Sequence, residues 1–229
     1  MRILKEKDVR LTREIKHFEP ISKYFIVPEG DNKEIQYFEG LISHREDLKI
    51  SSLIEVVLLK NDETEFGQSH PKQKLTNFEK TIDKNNILIS KEIDKVYFVI
   101  DRDPQNFKKD QFDEFKSKCK EKEYYICLSN PTFEIFILMH DDRILSISKK
   151  DLLENRKDRK KGSKRFLEKK ISEFFGFKKT NINFDILLNK IPNAIKNEKH
   201  FCENLDSLKD ELGSNVGLLI SELINRKIN

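Results

Sequence analysis

Short apolar runs alternate with amphipathic helical patterns along the first two thirds of the chain. The runs are rich in β-branched and aromatic residues, as buried parallel strands are, and cover residues 24–27, 53–59, 96–100 and 124–128. Apolar residues recur every three or four positions between them, which predicts helices through Ile35, Phe38, Leu41 and Ile42, through Leu75, Phe78 and Ile82, and through Phe112, Phe115 and Cys119. This alternation predicts an α/β fold with a parallel four-stranded sheet flanked by helices.

The remainder of the chain is predicted to be mainly helical. Ser129, Asn130 and Pro131 supply an N-cap and a proline at the first helical position, so an apolar helix is expected over residues 132–140. Further helices are expected at residues 166–175, 186–188, 191–195 and 216–224, and a polar loop at 61–69. The predicted organisation is a charged segment over 1–20, a catalytic domain over 21–145 and a helical C-terminal region over 146–229.

Composition narrows the class of protein. No apolar stretch reaches the ~18 residues that a membrane-spanning helix needs, and the charged N-terminus is unlike a secretory signal. The three cysteines show no paired spacing, which favours reduced thiols in the cytoplasm, and the dispersed histidines argue against zinc. The net charge is only +4, but residues 149–170 are basic and form either a path for a polyanion or a solvated helix face.

Carboxylates follow two of the predicted strands. Glu29 comes after the first strand, and Asp101 and Asp103 come after the third. The carboxyl ends of parallel strands meet at one edge of a sheet, where sites are commonly built. Two carboxylates about 4 Å apart repel by roughly 4 kcal/mol at an effective dielectric of about 20, so a cluster needs a cation or a proton. Oxygen ligands suit Mg²⁺ or Mn²⁺.

Glu134 is the only acid in the apolar run over residues 132–140. Its place in the first turn of the expected helix contributes roughly 0.3–1 kcal/mol through the helix dipole, which is too little to bury a carboxylate. A metal or a basic partner is therefore expected beside it.

The order of several short motifs resembles the RloB-like family of Toprim-domain proteins. The motifs are Glu29-Gly30 with Glu34, Tyr37 and Phe38, then Asp101-Arg102-Asp103, then residues 129–134, followed by residues 192–195 and 214–224. The resemblance spans roughly residues 21–224. The chain departs from the family pattern at Pro28, at Lys33, where Thr is usual, and at Phe136, where Trp is frequent.

The resemblance implies a Toprim fold and a divalent-metal-dependent nuclease of bacterial anti-phage defence, or abortive infection, partnered by an AAA-type ATPase. It implies that Glu29 is a metal ligand or a general acid or base, and that Asp101 and Asp103 are metal ligands. Glu34 and Glu134 would complete the shells of one or two Mg²⁺ or Mn²⁺ ions. Lys161 or Lys164 would neutralise the phosphate.

Plainer roles and other functions stay open. Glu34 is also explained as a first-turn helix acid, Asp103 as a cap or turn residue, and His140 as a packed or hydrogen-bonded residue. The chain is alternatively a receiver-like phosphoacceptor switch that uses Asp101 and Ser129, or a non-catalytic scaffold that binds nucleic acid or the ATPase. The sequence leaves open whether the nucleic acid is tRNA, other RNA or DNA, and whether the chain forms a homo-oligomer.

Overall fold

The computed structural model describes residues 22–30, 32–59, 71–103, 107–157 and 163–226. These residues build a five-stranded sheet in the order β2-β1-β3-β4-β5. Its strands are β1 (Ser22–Pro28), β2 (Ile54–Leu58), β3 (Lys95–Asp101), β4 (Tyr125–Asn130) and β5 (Gly213–Ser214). The segments 1–20 and 61–69 and Lys161, for which the sequence made predictions, lie outside the described residues.

The first four strands are parallel, as predicted. β1 lies between β2 and β3, with Ile26 opposite Leu58 and Tyr97, and β3 pairs with β4. The fifth strand is antiparallel to β4 and places Ser214 opposite Ser129. The predicted α/β class is confirmed, and the C-terminal region adds a two-residue strand that the sequence analysis did not include.

Helices cover both faces of the sheet. They are α1 (Lys33–Ser43), α2 (Pro71–Lys84), α3 (Lys109–Lys122), α4 (Glu134–Leu138), α5 (Lys149–Glu154), α6 (Phe166–Phe175), α7 (Phe184–Leu188), α8 (Ile191–Glu198), α9 (Leu205–Leu208) and α10 (Val216–Asn225). A 3-10 helix spans Asp142–Ser146. The predicted helices in both parts of the chain are therefore confirmed, with bounds that differ by a few residues.

The two faces of the sheet bury separate hydrophobic clusters because successive strand residues point to opposite sides. Phe25 and Phe98 pack with residues of α2 and α3 on one face. Tyr24 and Tyr97 belong to the larger cluster on the other face, which also contains buried residues of α1, α4, α6, α8 and α10. The helices after residue 146 thus share a core with the sheet.

The predicted helix cap at Ser129 and Asn130 is wrong. β4 continues to Asn130, the Asn130–Pro131 peptide is cis, and α4 begins only at Glu134. The Ser129 carbonyl accepts a hydrogen bond from the Arg102 N–H, and the Asn130 amide donates to the carbonyls of Leu208 and Glu211. Ser129 and Asn130 therefore bind neighbouring segments and not the first turn of α4.

The Asn215 side chain extends the pairing of β4 beyond the short β5. Its Oδ1 accepts a hydrogen bond of 2.6 Å from the Leu128 N–H, and its Nδ2 donates one of 3.0 Å to the Ile126 carbonyl. The side chain thus satisfies backbone groups at the edge of the sheet where no strand continues. Among the described residues, no helix is both long and apolar enough to cross a membrane.

Candidate functional site

Glu29 and Asp101 meet at the carboxyl edge of the sheet, as predicted from their places after β1 and β3. Glu29 directly follows β1, and its own N–H donates to the Val99 carbonyl, which holds it beside β3. The Asp101 N–H donates a hydrogen bond of 2.7 Å to Glu29 Oε2. The pairing of β1 with β2 ends at Ile26, so Pro28 is paired only with β3. Because proline lacks an N–H and Pro28 has no β2 neighbour, its presence does not prevent the strand from reaching Glu29.

Gly30, which follows Glu29, leaves space for the Glu34 carboxylate. Glu34 lies in the first turn of α1 and is only 2% exposed. A Cβ atom on Gly30 would lie 2.5 Å from Glu34 Oε2, so a larger residue would displace this carboxylate. Glu34 Oε2 is buried and has no hydrogen-bond partner among the described residues.

Lys33 lies at the centre of the acids. Its Nζ is 2.8 Å from Asp101 Oδ2, 2.8 Å from Glu134 Oε2 and 3.5 Å from Glu34 Oε1. We define the carboxylate cluster as Glu29, Glu34, Asp101 and Glu134 around this ammonium. The sequence analysis noted Lys33 only as a departure from a family pattern and gave it no role.

A second lysine binds the far side of Glu134. Lys179 Nζ lies 3.4 Å from Glu134 Oε1 and 2.5 Å from Glu168 Oε1. Both oxygens of Glu134 therefore face ammonium groups, and its side chain is only 4% exposed. The basic partner expected for this buried acid is thus present as two lysines.

Two adjoining cavities open at the cluster. The first, of about 240 Å³, is lined by Glu29, Gly30, Asn32, Lys33, Glu34, Asp101, Lys179 and Thr180. The second, of about 280 Å³, is lined by Lys33, Asp103, Pro131, Thr132, Glu134, Leu153, Glu154, Asn155, Arg165 and Lys179. Lys33 and Lys179 border both cavities.

Asp103 belongs to the second cavity, whereas Asp101 lines the first. The backbone of Asp103 has a φ of 21° in the left-handed region, and its N–H donates to the Pro131 carbonyl at 3.2 Å. Between the two acids, the buried Arg102 donates from Nε to the Lys209 carbonyl at 2.7 Å. The structure therefore brings Glu29, Glu34, Asp101 and Glu134 together and places Asp103 beside the neighbouring cavity.

The cluster contains four carboxyl groups but only two neighbouring lysines, so ion pairs cannot neutralise all of the acids. Burial, followed by repulsion from Asp101, raises the pKa of Glu29 to about 8, and burial raises the pKa of Glu34 to about 7 despite Lys33. Burial also raises the pKa of Asp101, against the opposing effect of Lys33. Burial acts against ionisation of Glu134 too, but Lys33 and Lys179 outweigh it and lower that pKa to about 2.

Two other residues considered from the sequence have structural contacts. The His140 ring is fully buried with Nε2 3.1 Å from the Tyr37 hydroxyl, and burial lowers its pKa to about 4. This confirms a packed and hydrogen-bonded His140. The Ser129 hydroxyl lies 3.1 Å from the Ser214 hydroxyl inside the protein.

Lys164 lines neither cavity. Its Nζ donates a hydrogen bond of 3.1 Å to Ser172 Oγ on α6. The next residue, Arg165, is exposed and lines the second cavity. The basic side chains at the two cavities are thus Lys33, Lys179 and Arg165. Arg165 belongs to the basic segment 149–170, which the sequence predicted as either a path for a polyanion or a solvated helix face, whereas no role was predicted for the two lysines.

The residues have the right chemistry to bind a divalent cation, but in this structure they are not arranged as the ligands of one. Four carboxylates are grouped with two lysines, the possible ligand atoms are all oxygen, and within the described part of the chain Glu34 Oε2 lacks a hydrogen-bond partner. Within the described ranges, no three His, Cys, Asp or Glu side chains already form a group that could hold a metal. Lys33 lies between the acids, so a cation can bind only if the carboxylates of the cluster change their positions.

A family model described as RloB-like protein matches residues 24–223, which include every acid of the carboxylate cluster. Neither the comparison with curated proteins nor the comparison with solved structures gave a match. The matched span covers most of the 229 residues and runs from β1 into α10. The chain therefore belongs to the RloB-like family.

Proposed function

We propose that the chain is a nuclease of the Toprim type that uses Mg²⁺ or Mn²⁺ to cleave phosphodiester bonds of RNA, including tRNA, or of DNA. The observation that carries this proposal is the carboxylate cluster, in which four acids from β1, α1, β3 and α4 converge at the carboxyl edge of a parallel sheet. Such convergence of buried, repelling acids is costly unless a cation or a proton offsets it.

Glu29, Glu34 and Asp101 would hold the cation, since they line the same cavity. A bound divalent cation supplies charge stabilisation at a phosphate and a water of lowered pKa. Glu29, with a pKa of about 8, holds a proton at neutral pH when the cluster carries no metal. In the alternative role, in which Glu29 does not bind the cation, this carboxyl would exchange a proton with an attacking or leaving oxygen.

The second cavity offers positive groups for the substrate. Arg165 is exposed there, and Lys179 lies between the two cavities. Arginine and lysine bind phosphate oxygens and stabilise the charge that develops during phosphoryl transfer. A nucleic-acid backbone bound along the second cavity would therefore place one phosphate beside Lys33 and Lys179, which border both cavities.

We place this activity in the cytoplasm of a bacterial cell during anti-phage defence, under the control of an AAA-type ATPase encoded nearby. The three cysteines are free and two of them are buried, which suits a reducing compartment. A nuclease in the cytoplasm needs restraint until infection, and a partner ATPase would supply it. The family membership supports this setting.

The geometry supports the alternatives less well. A receiver-like switch needs an accessible hydroxyl beside its phosphoacceptor, but the Ser129 hydroxyl is buried against Ser214. A scaffold that has lost its chemistry would have no reason to retain four buried acids, which cost stability. The nuclease proposal accounts for both the acids and the basic groups around them.

The test is incubation of the purified full-length chain with total cellular RNA and DNA, with and without the neighbouring ATPase. Mg²⁺ or Mn²⁺ is added in one arm and EDTA in the other, and new ends are mapped by sequencing. We expect cleavage only in the metal arm. Absence of cleavage in every arm, or labelling of Asp101 by acetyl phosphate, would contradict the nuclease proposal, and the labelling would favour the switch.

A further inference from the structure

The Lys33 ammonium is bound as a metal ion would be. An ammonium group has three donors, and three carboxylate oxygens surround this one, on Asp101, Glu134 and Glu34. The side chain is only 16% exposed, and its nearest contacts connect β3 with α4. Lys33 is therefore a built-in cation of the cluster and not a solvent-facing lysine.

Each oxygen of Glu134 faces a positively charged group, which disfavours a metal ion there. Its Oε2 lies 2.8 Å from Lys33 Nζ and its Oε1 lies 3.4 Å from Lys179 Nζ. Lys179 is in turn held by Glu168 at 2.5 Å. A metal ion at Glu134 would have to remove an ammonium group from one of these oxygens.

The other half of the cluster, formed by Glu29 and Glu34, has fewer contacts to positively charged groups. Glu34 Oε2 is buried without a hydrogen-bond partner in the part of the chain that the structure describes, and Glu34 is 2% exposed. Glu29 accepts a hydrogen bond at Oε2 from a backbone N–H, and both acids line the first cavity with Asp101. Asp101 Oδ2 is bound by Lys33, and its Oδ1 accepts a hydrogen bond of 2.7 Å from the Phe133 N–H, a neutral donor that leaves a lone pair of this oxygen for a cation. This half offers oxygen ligands and room to an incoming cation.

We infer that Lys33 permanently fills the half of the cluster between Asp101 and Glu134, so that the site binds one divalent cation, at Glu29, Glu34 and Asp101, and not two. The inference rests on the proposed metal-dependent function and deepens it. Glu134 is then a positioning residue that anchors Lys33 and no metal ligand. The lysine takes the place that a second cation would have in a two-metal site, and so keeps a second dication out of the space between Asp101 and Glu134.

The number of bound ions tests the inference directly. Mn²⁺ binding to the full-length protein is measured by isothermal titration calorimetry and by electron paramagnetic resonance at pH 7.5, without nucleic acid. The wild type should bind one Mn²⁺ per chain. Lys33→Met should bind two, or bind the first at least tenfold more tightly, whereas Lys178→Met, a change at an exposed neighbour of Lys179, should match the wild type.

A second pair of variants keeps the test decisive if Lys33→Met does not fold. Glu134→Gln should retain one Mn²⁺ with a Kd within about threefold of the wild type, because Glu134 contributes no ligand. Glu34→Gln should weaken binding at least tenfold, because it removes one. Two ions in the wild type, unchanged binding in a folded Lys33→Met, strong loss in Glu134→Gln or no Mn²⁺ bound by any protein would each overturn the inference.

The outcomes separate this inference from the nuclease proposal. One ion in the wild type and two in Lys33→Met, together with no cleavage of any nucleic acid, would support the inference and refute the nuclease. Metal-dependent cleavage by a wild-type protein that binds two ions would support the nuclease proposal and refute the inference.

Discussion

The Lys33 ammonium lies 2.8 Å from Asp101 Oδ2, so the charge that neutralises the acid at the end of β3 comes from the first residue of α1. The two residues are 68 positions apart in the chain. Their contact ties the first helix to the middle of the sheet and lets the acids stay buried without a metal. Lys33 is thus a structural cation in the metal-free protein.

Lys33→Met should destabilise the metal-free protein by about 3–5 kcal/mol, because it leaves buried acids without their counter-charge. Urea unfolding in EDTA, followed by circular dichroism, measures the change. Lys178→Met, at an exposed lysine, should stay within about 0.5 kcal/mol of the wild type. Equal stability of the Lys33 variant and the wild type would show that the contact contributes nothing.

The stability of the metal-free protein should fall as the pH rises from about 6.5 to 8. Glu29, Glu34 and Glu198 have folded-state pKa values of about 8, 7 and 8, chiefly because of burial, against 4.5 as the ordinary value. The folded state therefore binds more protons than the unfolded state in this range, and raising the pH removes that advantage. The opposite contribution of His140, whose pKa falls from 6.5 to about 4, fades over the lower part of this range.

Urea unfolding at several pH values in EDTA tests this. Glu29→Gln keeps an acceptor for the Asp101 N–H and should reduce the slope by about 1 kcal/mol per pH unit. Glu121→Gln, at an exposed glutamate of α3, should leave the slope unchanged. A wild-type stability that rises or stays constant over the range would contradict the assignment of protonated acids to the cluster.

Gly30→Ala should displace the Glu34 carboxylate, since the added Cβ would lie 2.5 Å from Oε2. We expect a loss of about 1–3 kcal/mol in stability, from crowding of a buried group, and at least tenfold weaker Mn²⁺ binding. Chemical unfolding and calorimetry measure the two effects. Binding equal to that of the wild type would mean that Glu34 is no ligand.

Asn215→Ala should cost about 2–4 kcal/mol, because the Leu128 N–H and the Ile126 carbonyl would lose their partner inside the protein. Asn225→Ala, at an exposed position near the end of α10, should change stability by less than about 0.5 kcal/mol. Thermal and urea unfolding of the two variants provide the comparison. A similar loss in both would show that the bridge to β4 is not what stabilises this edge.

The local pattern of the sequence predicted the sheet and the meeting of Glu29 with Asp101. Buried strands have a continuous apolar signal, and parallel topology then brings their carboxyl ends to one edge. β5 was not predicted because a strand of two residues is too short to show a periodic pattern of apolar residues. The cap at Ser129 failed because pairing with β3 and with the segment around Leu208 outweighed a local helix propensity.

The cations of the site were harder to find. The chain contains 44 lysines and arginines, and no spacing distinguishes Lys33 or Lys179 among them. Their roles depend on tertiary contacts, such as that between Lys33 and Glu134, 101 positions apart. A lysine directly before a buried first-turn acid was the available signal, and it gains meaning only when the partner acids are placed in space.

Cleavage of a labelled nucleic acid by matched variants tests the central claim most directly. The wild type and Glu121→Gln, each with the neighbouring ATPase and Mg²⁺ or Mn²⁺, should cut at the same rate, and EDTA should abolish cutting. Asp101→Asn should cut roughly 100-fold more slowly or not at all, because it removes the acid shared by Lys33 and the proposed metal position. Cleavage by Asp101→Asn at the wild-type rate, or cleavage that persists in EDTA, would contradict the account.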